Sequence, residues 1–186
     1  MKLGIGYGKV ALQPHDGEWH RAAEETIEIL RCILGDTAKD LQHVGSTAIR
    51  GIPAKPVLDI AVGVLEVSCV YRFREALEAQ GIRIVGEIVP GQIMCDQMTE
   101  DGMEAMHIHF IVHDSPEWRD YMCFRDYLNA VPQEAKRYAE LKTELAEKFA
   151  EDRKSYTAGK AALIQELLLK AHDWAGKKGE EHVRNL

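Results

Sequence analysis

The stretch His43-Val44-Gly45-Ser46-Thr47, followed by Lys55-Pro56-Val57-Leu58-Asp59-Ile60, decides the fold of this 186-residue chain. Residues 40 to 44 predict a short strand that runs into the glycine-serine turn, and the residues up to Arg50 predict a helical turn. Backbone N–H groups at such a turn face outward, and the missing glycine side chain lets a phosphate approach closely. Gly-Ser is also ordinary turn chemistry, so its meaning depends on the residues of the next strand.

The second half of the stretch predicts a buried strand from Val57 to Val64, because it is rich in β-branched residues. Alternation places Asp59 on one face of this strand with small residues, which are Val57, Ala61 and Gly63. The opposite face carries larger aliphatic side chains, which are Leu58, Ile60, Val62 and Val64. A carboxylate on an apolar strand is costly unless it is paired or bound. Asp59 therefore either serves a ligand in the space above these small residues, or pairs with Lys55 or an arginine and only orders the fold.

The rest of the chain predicts one α/β (α+β) domain over residues 1–175, with a mixed sheet flanked by helices and a C-terminal helical segment. Asp16 is the candidate N-cap of the first helix, and Gly35 follows that helix. The predicted helices span residues 16–34, 70–80, 116–129, 132–151 and 156–174. The further strands span residues 40–44, 82–89, 92–98 and 105–112, with a hairpin at Pro90-Gly91. Residues 176–186 predict a polar, flexible tail.

Composition excludes several classes of function. The net charge of -7 argues against binding an extended nucleic acid, because such binding needs an excess of Lys and Arg, whereas a small anionic ligand remains compatible. The four cysteines lack metal-ligand spacing, which favours free thiols in a reducing compartment. The longest apolar stretch contains Asp59 and is too short to span a bilayer. We therefore expect a cytoplasmic protein that does not bind membranes.

Further motifs give the deciding stretch a specific resemblance. His43 to Ala48, Gly51, Lys55-Pro56 and Asp59-Ile60 resemble the signature of the GrpB-like family, which belongs to the nucleotidyltransferase superfamily. Further family motifs follow in the same order: His107-Ile108-His109, Phe124-Arg125-Asp126-Tyr127-Leu128, Tyr138 with Lys142, and Tyr156 with Lys160. The resemblance therefore covers about residues 15 to 172. The resemblance implies a nucleotidyltransferase-like fold with a nucleotide as substrate.

The resemblance also implies roles for individual residues. In active nucleotidyltransferases the glycine-serine turn holds the triphosphate, which corresponds here to Gly45, Ser46 and Thr47. An acidic-x-acidic pair and a third carboxylate on a later strand hold magnesium in those enzymes, and two such ions clamp the attacking and leaving oxygens. Asp59 corresponds to the first carboxylate, with Lys55 beside it as a second catalytic candidate. Ala61 stands in place of the second acid, so the usual metal triad is incomplete.

Histidines stand where the late strand would supply its acid. His107 and His109 share one face of their strand, so they form with Asp59 a candidate site of two histidines and one carboxylate. Magnesium prefers oxygen ligands, whereas imidazole better suits manganese or zinc, and the identity of the divalent ion stays open among these three. The alternative is that the histidines hydrogen-bond within the sheet or contact a ligand directly.

Positive residues near the turn and on the C-terminal helices are candidate phosphate contacts, as a group that matches the family motifs: Arg50, Lys55, Arg125, Lys142 and Lys160. The segment from Arg153 to Thr157 also begins a helix with charge and hydroxyls, which resembles an anion-facing edge. Each exposed charge taken alone is more often a solvated surface group. Arg125 is the strongest candidate, because a guanidinium holds phosphate or carboxylate through two parallel bonds.

Two functions are compatible with these residues. The first is an enzyme that binds a nucleotide or another small phosphorylated molecule and performs metal-assisted nucleotidyl or phosphoryl transfer. The second is a nucleotide- or metabolite-binding module on the same fold that lost catalysis with its second carboxylate, which Ala61 favours. A protein-binding scaffold has no exposed apolar stripe in its support. The sequence does not predict the oligomeric state.

Overall fold

The computed structural model describes residues 3–184, and the environment of side chains up to residue 178. Within that range the chain forms five strands and five α-helices. The strands are β1 Asp40–Val44, β2 Leu58–Val64, β3 Ile82–Val89, β4 Gln92–Met98 and β5 Glu104–Val112. The helices are α1 Glu18–Leu34, α2 Arg74–Glu78, α3 Pro116–Ala130, α4 Pro132–Lys148 and α5 Arg153–Arg184.

The strands form one mixed sheet in the order β1-β2-β5-β4-β3. β2 and β5 are parallel neighbours at its centre, and the other neighbouring pairs are antiparallel. The predicted mixed sheet is therefore confirmed, and so is the hairpin between β3 and β4. Since β2 and β5 run side by side, Asp59 lies directly opposite His107, and Ala61 opposite His109.

One face of the sheet carries the main apolar core. Leu58, Ile60 and Val62 of β2 are fully buried there with Trp19 and Leu30 of α1. The predicted alternation of β2 is confirmed on this face. The first helix differs from the prediction only at its start. The N-cap is Gly17, and the Asp16 side chain accepts a hydrogen bond from the backbone N–H of Glu18 at 2.9 Å.

The opposite face of the sheet is covered by α3 and, beyond it, by α4 and α5. Trp118 of α3 packs with Val44, Ala61 and Ile111 in a second apolar cluster. A Cβ on Gly63 would lie only 3.1 Å from the Trp118 ring. The prediction that the small residues of β2 leave space for a ligand was therefore wrong at Ala61 and Gly63, because the helix fills that space.

The bounds of α2 and α5 differ most from the prediction, and α4 ends at Lys148, three residues before its predicted end. Residues 67 to 73 form a 3-10 helix, so α2 is a short α-helix that follows it. α5 continues to Arg184, so the backbone of residues 176 to 184, predicted as a tail, is helical, and residues 185 and 186 lie outside the described range. An ion pair of Asp173 with Lys177 spans Gly176 at helical spacing, and a helical glycine costs only about 1 kcal/mol.

Two further predictions concern the surroundings of the chain. No helix among the described residues combines the length and the apolar character that a membrane span requires. All four cysteines are free thiols: Cys32, Cys69, Cys95 and Cys123.

Candidate functional site

The glycine-serine turn follows β1 directly. Gly45 adopts a positive φ of 69°, and Ser46 to Ala48 form a single 3-10 turn. A Cβ on Gly45 would lie 2.3 Å from Oδ2 of Asp59, so the glycine makes room for that carboxylate. We expected the missing side chain to admit a phosphate, whereas the structure places Asp59 there. A turn this short also carries little helix dipole, so positive charge must come from side chains.

Asp59 is the centre of a cluster that also contains both histidines of β5. Its Oδ1 lies 3.1 Å from Nδ1 of His107 and 3.4 Å from Nε2 of His109. Burial would raise the pKa of Asp59, but the hydrogen bonds and charge of the two histidines outweigh burial and lower it well below its ordinary value. Asp59 is therefore a carboxylate at any physiological pH.

His107 lies between two carboxylates. Its Nδ1 faces Asp59, and its Nε2 lies 3.0 Å from Oε1 of Glu104, whose other oxygen accepts a hydrogen bond from Arg153. Burial would lower the pKa of His107, but the two carboxylates raise it to about 9. Burial would also raise the pKa of Glu104, but the hydrogen bonds from His107 and Arg153 outweigh burial and lower it to about 2. Without a metal ion, His107 is a cation at neutral pH.

Beside Asp59 lies a cavity of about 200 Å³, which we name the lysine cavity. Three lysines approach it from different elements: Lys55 precedes β2, Lys142 lies on α4 and Lys160 on α5. Ser46 completes the wall on the side of the turn, and its Oγ lies 3.4 Å from Oη of Tyr138. The remaining lining residues are Val57, Asp59, His107, Arg153, Tyr156 and Thr157.

The three lysines are held close together in a poorly hydrated space. Lys142 is 1% exposed, and its Nζ donates to the backbone carbonyl of Pro53 at 2.7 Å. Burial first, and then the neighbouring Lys160 and Lys55, lower the pKa of Lys142 well below its ordinary value. Burial and the charge of Lys55 lower the pKa of Lys160 to about 8, and burial and Arg153 lower the pKa of Lys55. The negative charge of Asp59 raises the pKa of each lysine but does not cancel the decrease.

These charges define what the cavity can hold. Cationic side chains outnumber carboxylates around it, and burial makes each unneutralised ammonium costly. An anion seated among Ser46, Lys142 and Lys160 would supply the missing negative charge and accept their N–H and O–H groups. The arrangement would therefore suit an anion, with one carboxylate, Asp59, at the edge of the cavity.

The same carboxylate could hold a metal ion with the two histidines. The three candidate ligand atoms of Asp59, His107 and His109 all lie within 4.8 Å of one another. Ligands about 2.0–2.2 Å from a shared ion lie roughly 3 to 3.5 Å apart, and Oδ1 of Asp59 lies 3.1 and 3.4 Å from the facing nitrogens of His107 and His109. The second ring nitrogen of each histidine also has a neighbour, Glu104 for His107 and Oη of Tyr121 for His109, as metal-bound histidines usually do. The donor set therefore fits a two-histidine, one-carboxylate site.

Other predicted residues lie away from the lysine cavity. Arg50 and Arg125 line a separate cavity of about 490 Å³ on the outer side of β1. Arg125 donates to Oε1 of Gln42 at 2.7 Å and to the carbonyl of His43 at 3.0 Å, so it fixes the end of β1. Thr47 is buried, with its hydroxyl 2.9 Å from Nε2 of His43.

Arg153 and Glu104 belong to the site but were absent from the predicted site residues. Arg153 begins α5 in the segment that had indicated an anion-facing helix start, so a signal for it existed. Glu104 had none, because alternation along a strand would place it on the face opposite His107. Between the pairs Gln97–Met106 and Met98–Glu104 the register shifts, so Ala105 is an extra residue in β5, and this irregularity brings the side chains of Glu104 and His107 together.

The sequence of this chain is similar to those of known proteins. The family model described as GrpB protein matches residues 9–170. The glutamate-rich protein GrpB of Alkalihalophilus pseudofirmus is 37% identical over 89% of this chain and 98% of its own length. YqkA of Bacillus subtilis, a UPF0157 protein, is 30% identical over 94% of this chain. A Mycolicibacterium paratuberculosis protein named dephospho-CoA kinase is 26% identical over 94%. The chain spans 50% and 49% of these last two proteins.

Solved structures support the fold. The crystal structure of GrpB from Enterococcus faecalis superposes with a TM-score of 0.80 at 26% identity, over 87% of this chain and 96% of that one. The Cid1 poly(U) polymerase, with magnesium and 3'-dATP bound, gives a TM-score of 0.54 at 15% identity, over 80% of this chain and 49% of that one. The second likeness shows a shared nucleotidyltransferase-like fold alone.

Proposed function

Because this chain belongs to the GrpB family and has the nucleotidyltransferase-like fold, we propose that it binds a nucleotide or another small phosphorylated molecule and transfers a nucleotidyl or phosphoryl group with the help of a divalent metal ion. The phosphate groups lie in the lysine cavity, and the transfer takes place beside Asp59. The observation that carries this proposal is the convergence of Lys55, Lys142 and Lys160 on one small cavity that also contains Ser46 and Asp59.

The lysines bind and orient the phosphates. Lys142 has a single acceptor among the hydrogen bonds of the described residues, the Pro53 carbonyl, so its other N–H groups are free to donate to a ligand. Lys55 and Lys160 extend the positive wall, where they stabilise negative charge that develops on a leaving phosphate. In this dry setting, fixed ammonium groups act more strongly than they would in water.

Asp59 and the histidines prepare the other side of the reacting group. Gly45 allows the carboxylate to lie against the turn, and His107 and His109 fix one of its oxygens. A divalent ion held by these three side chains would neutralise charge on the reacting phosphate and align the leaving oxygen. The Arg153–Glu104 pair holds the ring of His107 in place from behind.

The test is a thermal-shift screen and then a turnover assay. Nucleoside triphosphates, dephospho-coenzyme A and coenzyme A are each added with and without manganese or zinc, since a ligand that binds the folded state raises its stability. The coenzyme A compounds are included because one relative, of which this chain spans 49%, is named dephospho-CoA kinase. Compounds that bind are then assayed for release of pyrophosphate or phosphate. Asp59→Asn should abolish release and leave binding largely intact.

The control is Asp36→Asn, which changes an exposed carboxylate outside both the lysine cavity and the metal cluster. Its turnover should equal that of the wild type. Equal rates in Asp59→Asn and wild type would show that Asp59 takes no part in the chemistry. If no phosphorylated compound in the screen bound, the proposed function as a whole would be wrong.

A binding module without catalysis is the second candidate, and one observation favours it. Ala61 supplies no second carboxylate, and both ring nitrogens of His107 already face Asp59 and Glu104. A protein of this kind would bind the same phosphates through the lysines without any divalent ion. Tight, metal-independent binding with no product after prolonged incubation would select this candidate over the enzyme.

A further inference from the structure

The lysine cavity is too small for a whole nucleotide. Its volume of about 200 Å³ lies below the roughly 300–1,000 Å³ of a typical small-molecule pocket, so it suits a phosphate group and not also a sugar and a base. We propose that the nucleoside part of the ligand lies in the adjoining cleft between the β3–β4 hairpin and the start of α5. This inference rests on the proposed function and assigns the second half of its ligand site.

The cleft adjoins the lysine cavity. It has a volume of about 1080 Å³, and it shares Arg153 and Thr157, both on α5, with the smaller cavity. The register of the sheet connects the two cavities. Four residues lie directly opposite one another in a row across neighbouring strands, namely Asp59 of β2, His107 of β5, Asp96 of β4 and Arg83 of β3. A ligand with phosphates at the lysines therefore extends into the cleft without leaving this face of the sheet.

The wall of the cleft differs in chemistry from the lysine cavity. The hairpin contributes Val85 and Ile88, whose exposed fractions are 45% and 58%, together with Ile84 and Met94. Tyr7 stands at the same cleft with 83% of its surface exposed. Apolar walls and an aromatic ring suit the flat faces of a base, which stack on such side chains whatever the base is.

Polar groups of the cleft are held in place before any ligand binds. Arg83 donates two hydrogen bonds to Asp96, at 2.9 and 2.7 Å, and Glu104 fixes Arg153 at the junction of the two cavities. Ligand sites typically combine an apolar wall with a few fixed polar groups, and the cleft shows that combination. The organic part of the ligand thus meets a surface of different character from its phosphates.

Calorimetric titration in metal-free buffer separates the two halves of the ligand. The probes are inorganic tripolyphosphate, which has no organic part, and the four ribonucleoside triphosphates. We expect the wild type to bind at least one nucleoside triphosphate about tenfold more tightly than tripolyphosphate. Ile88→Ser and Tyr7→Ala, both at exposed positions, should weaken that nucleotide about five- to tenfold and change tripolyphosphate affinity less than about twofold.

Leu169→Ser is the matched control, because Leu169 is 75% exposed on α5 and lines neither cavity. It should leave both affinities unchanged. If tripolyphosphate and every nucleotide bind equally well and the hairpin variants change neither affinity, the nucleoside does not occupy the cleft, whereas phosphate binding in the lysine cavity stands. Failure of tripolyphosphate and of all nucleotides to bind, both in metal-free buffer and after manganese is added, overturns the proposed function, and the cleft assignment with it.

Discussion

Gly45 and Asp59 are packed so closely that the glycine has no room for a side chain, since a Cβ would lie 2.3 Å from Oδ2 and 2.8 Å from Cβ of Asp59. The antiparallel pairing of Val44 with Asp59 forces this contact, because the turn begins one residue after that pair. Glycine at this position therefore serves the placement of the carboxylate as well as the shape of the turn.

Gly45→Ala should destabilise the protein by about 2–4 kcal/mol, since both the positive φ and the overlap with Asp59 penalise a side chain. Urea unfolding measures the loss. Gly51→Ala is the matched control, because Gly51 also has a positive φ, of 74°, but open space around its Cβ position. It should lose only about 1 kcal/mol. Equal losses in the two variants would mean that the contact with Asp59 carries no penalty.

His107→Gln should destabilise the protein in acid more than in base. The folded pKa of about 9 lies above the unfolded value of 6.5, so the charged ring contributes stability that is complete below pH 6.5 and is lost as pH rises to about 9. The difference in unfolding free energy between wild type and variant should reach about 3 kcal/mol below pH 6.5 and shrink towards pH 9. Urea titrations across this range measure it.

His172→Gln provides the comparison for that series, because His172 is an exposed histidine on α5 that faces Asp120. Its effect should stay small at every pH. A deficit in His107→Gln that is as large at pH 9 as at pH 6 would show that the ring acts through packing and not through its charge.

Lys160 should give the opposite pH dependence. Burial lowers its folded pKa from 10.5 to about 8, so the unfolded chain binds more protons between these values, and the free energy of unfolding rises with pH through this window. Lys160→Gln should flatten that rise and stabilise the ligand-free protein at neutral pH, while it weakens binding of tripolyphosphate. The exposed Lys136→Gln serves as control in the same urea titrations. An unchanged slope in Lys160→Gln would contradict the prediction.

Cobalt binding, monitored by visible absorption, tests the metal cluster. Asp59→Asn and His109→Ala should each weaken cobalt binding by at least about tenfold, because each removes one of three ligands. His20→Ala is the control, since His20 belongs to a different pair, with its Nδ1 3.4 Å from Nδ1 of His43. If only His20→Ala weakened binding, the ion would lie at that pair and not at Asp59.

Much of the fold could be predicted from local patterns. Alternation in residues 57 to 64 identified a buried strand and the exceptional position of Asp59, because a period of two separates the faces of any strand. The hairpin at Pro90-Gly91 and the mixed character of the sheet were predicted from turn residues and strand spacing. Helix ends were predicted less well, as the extension of α5 through Gly176 illustrates.

The candidate site was less predictable, because it depends on how helices pack on the sheet. Family resemblance selected Lys142 and Lys160, and both face the lysine cavity. The same reasoning selected Arg125, which instead bonds to β1 on the outer side. A guanidinium that suits phosphate suits carbonyl oxygens equally well, so residue type alone does not separate the two roles.

The lysine cavity joins parts of the chain that are far apart in sequence: the turn at Ser46 and the last two helices at Lys142 and Lys160. A polyphosphate held between them would act as a reversible cross-link across a long loop, and closing such a loop removes conformational freedom from the chain. The ligand would then be a folding element as well as a substrate. Without such a ligand, mutual repulsion among the lysines should weaken the packing of the C-terminal helices against the sheet.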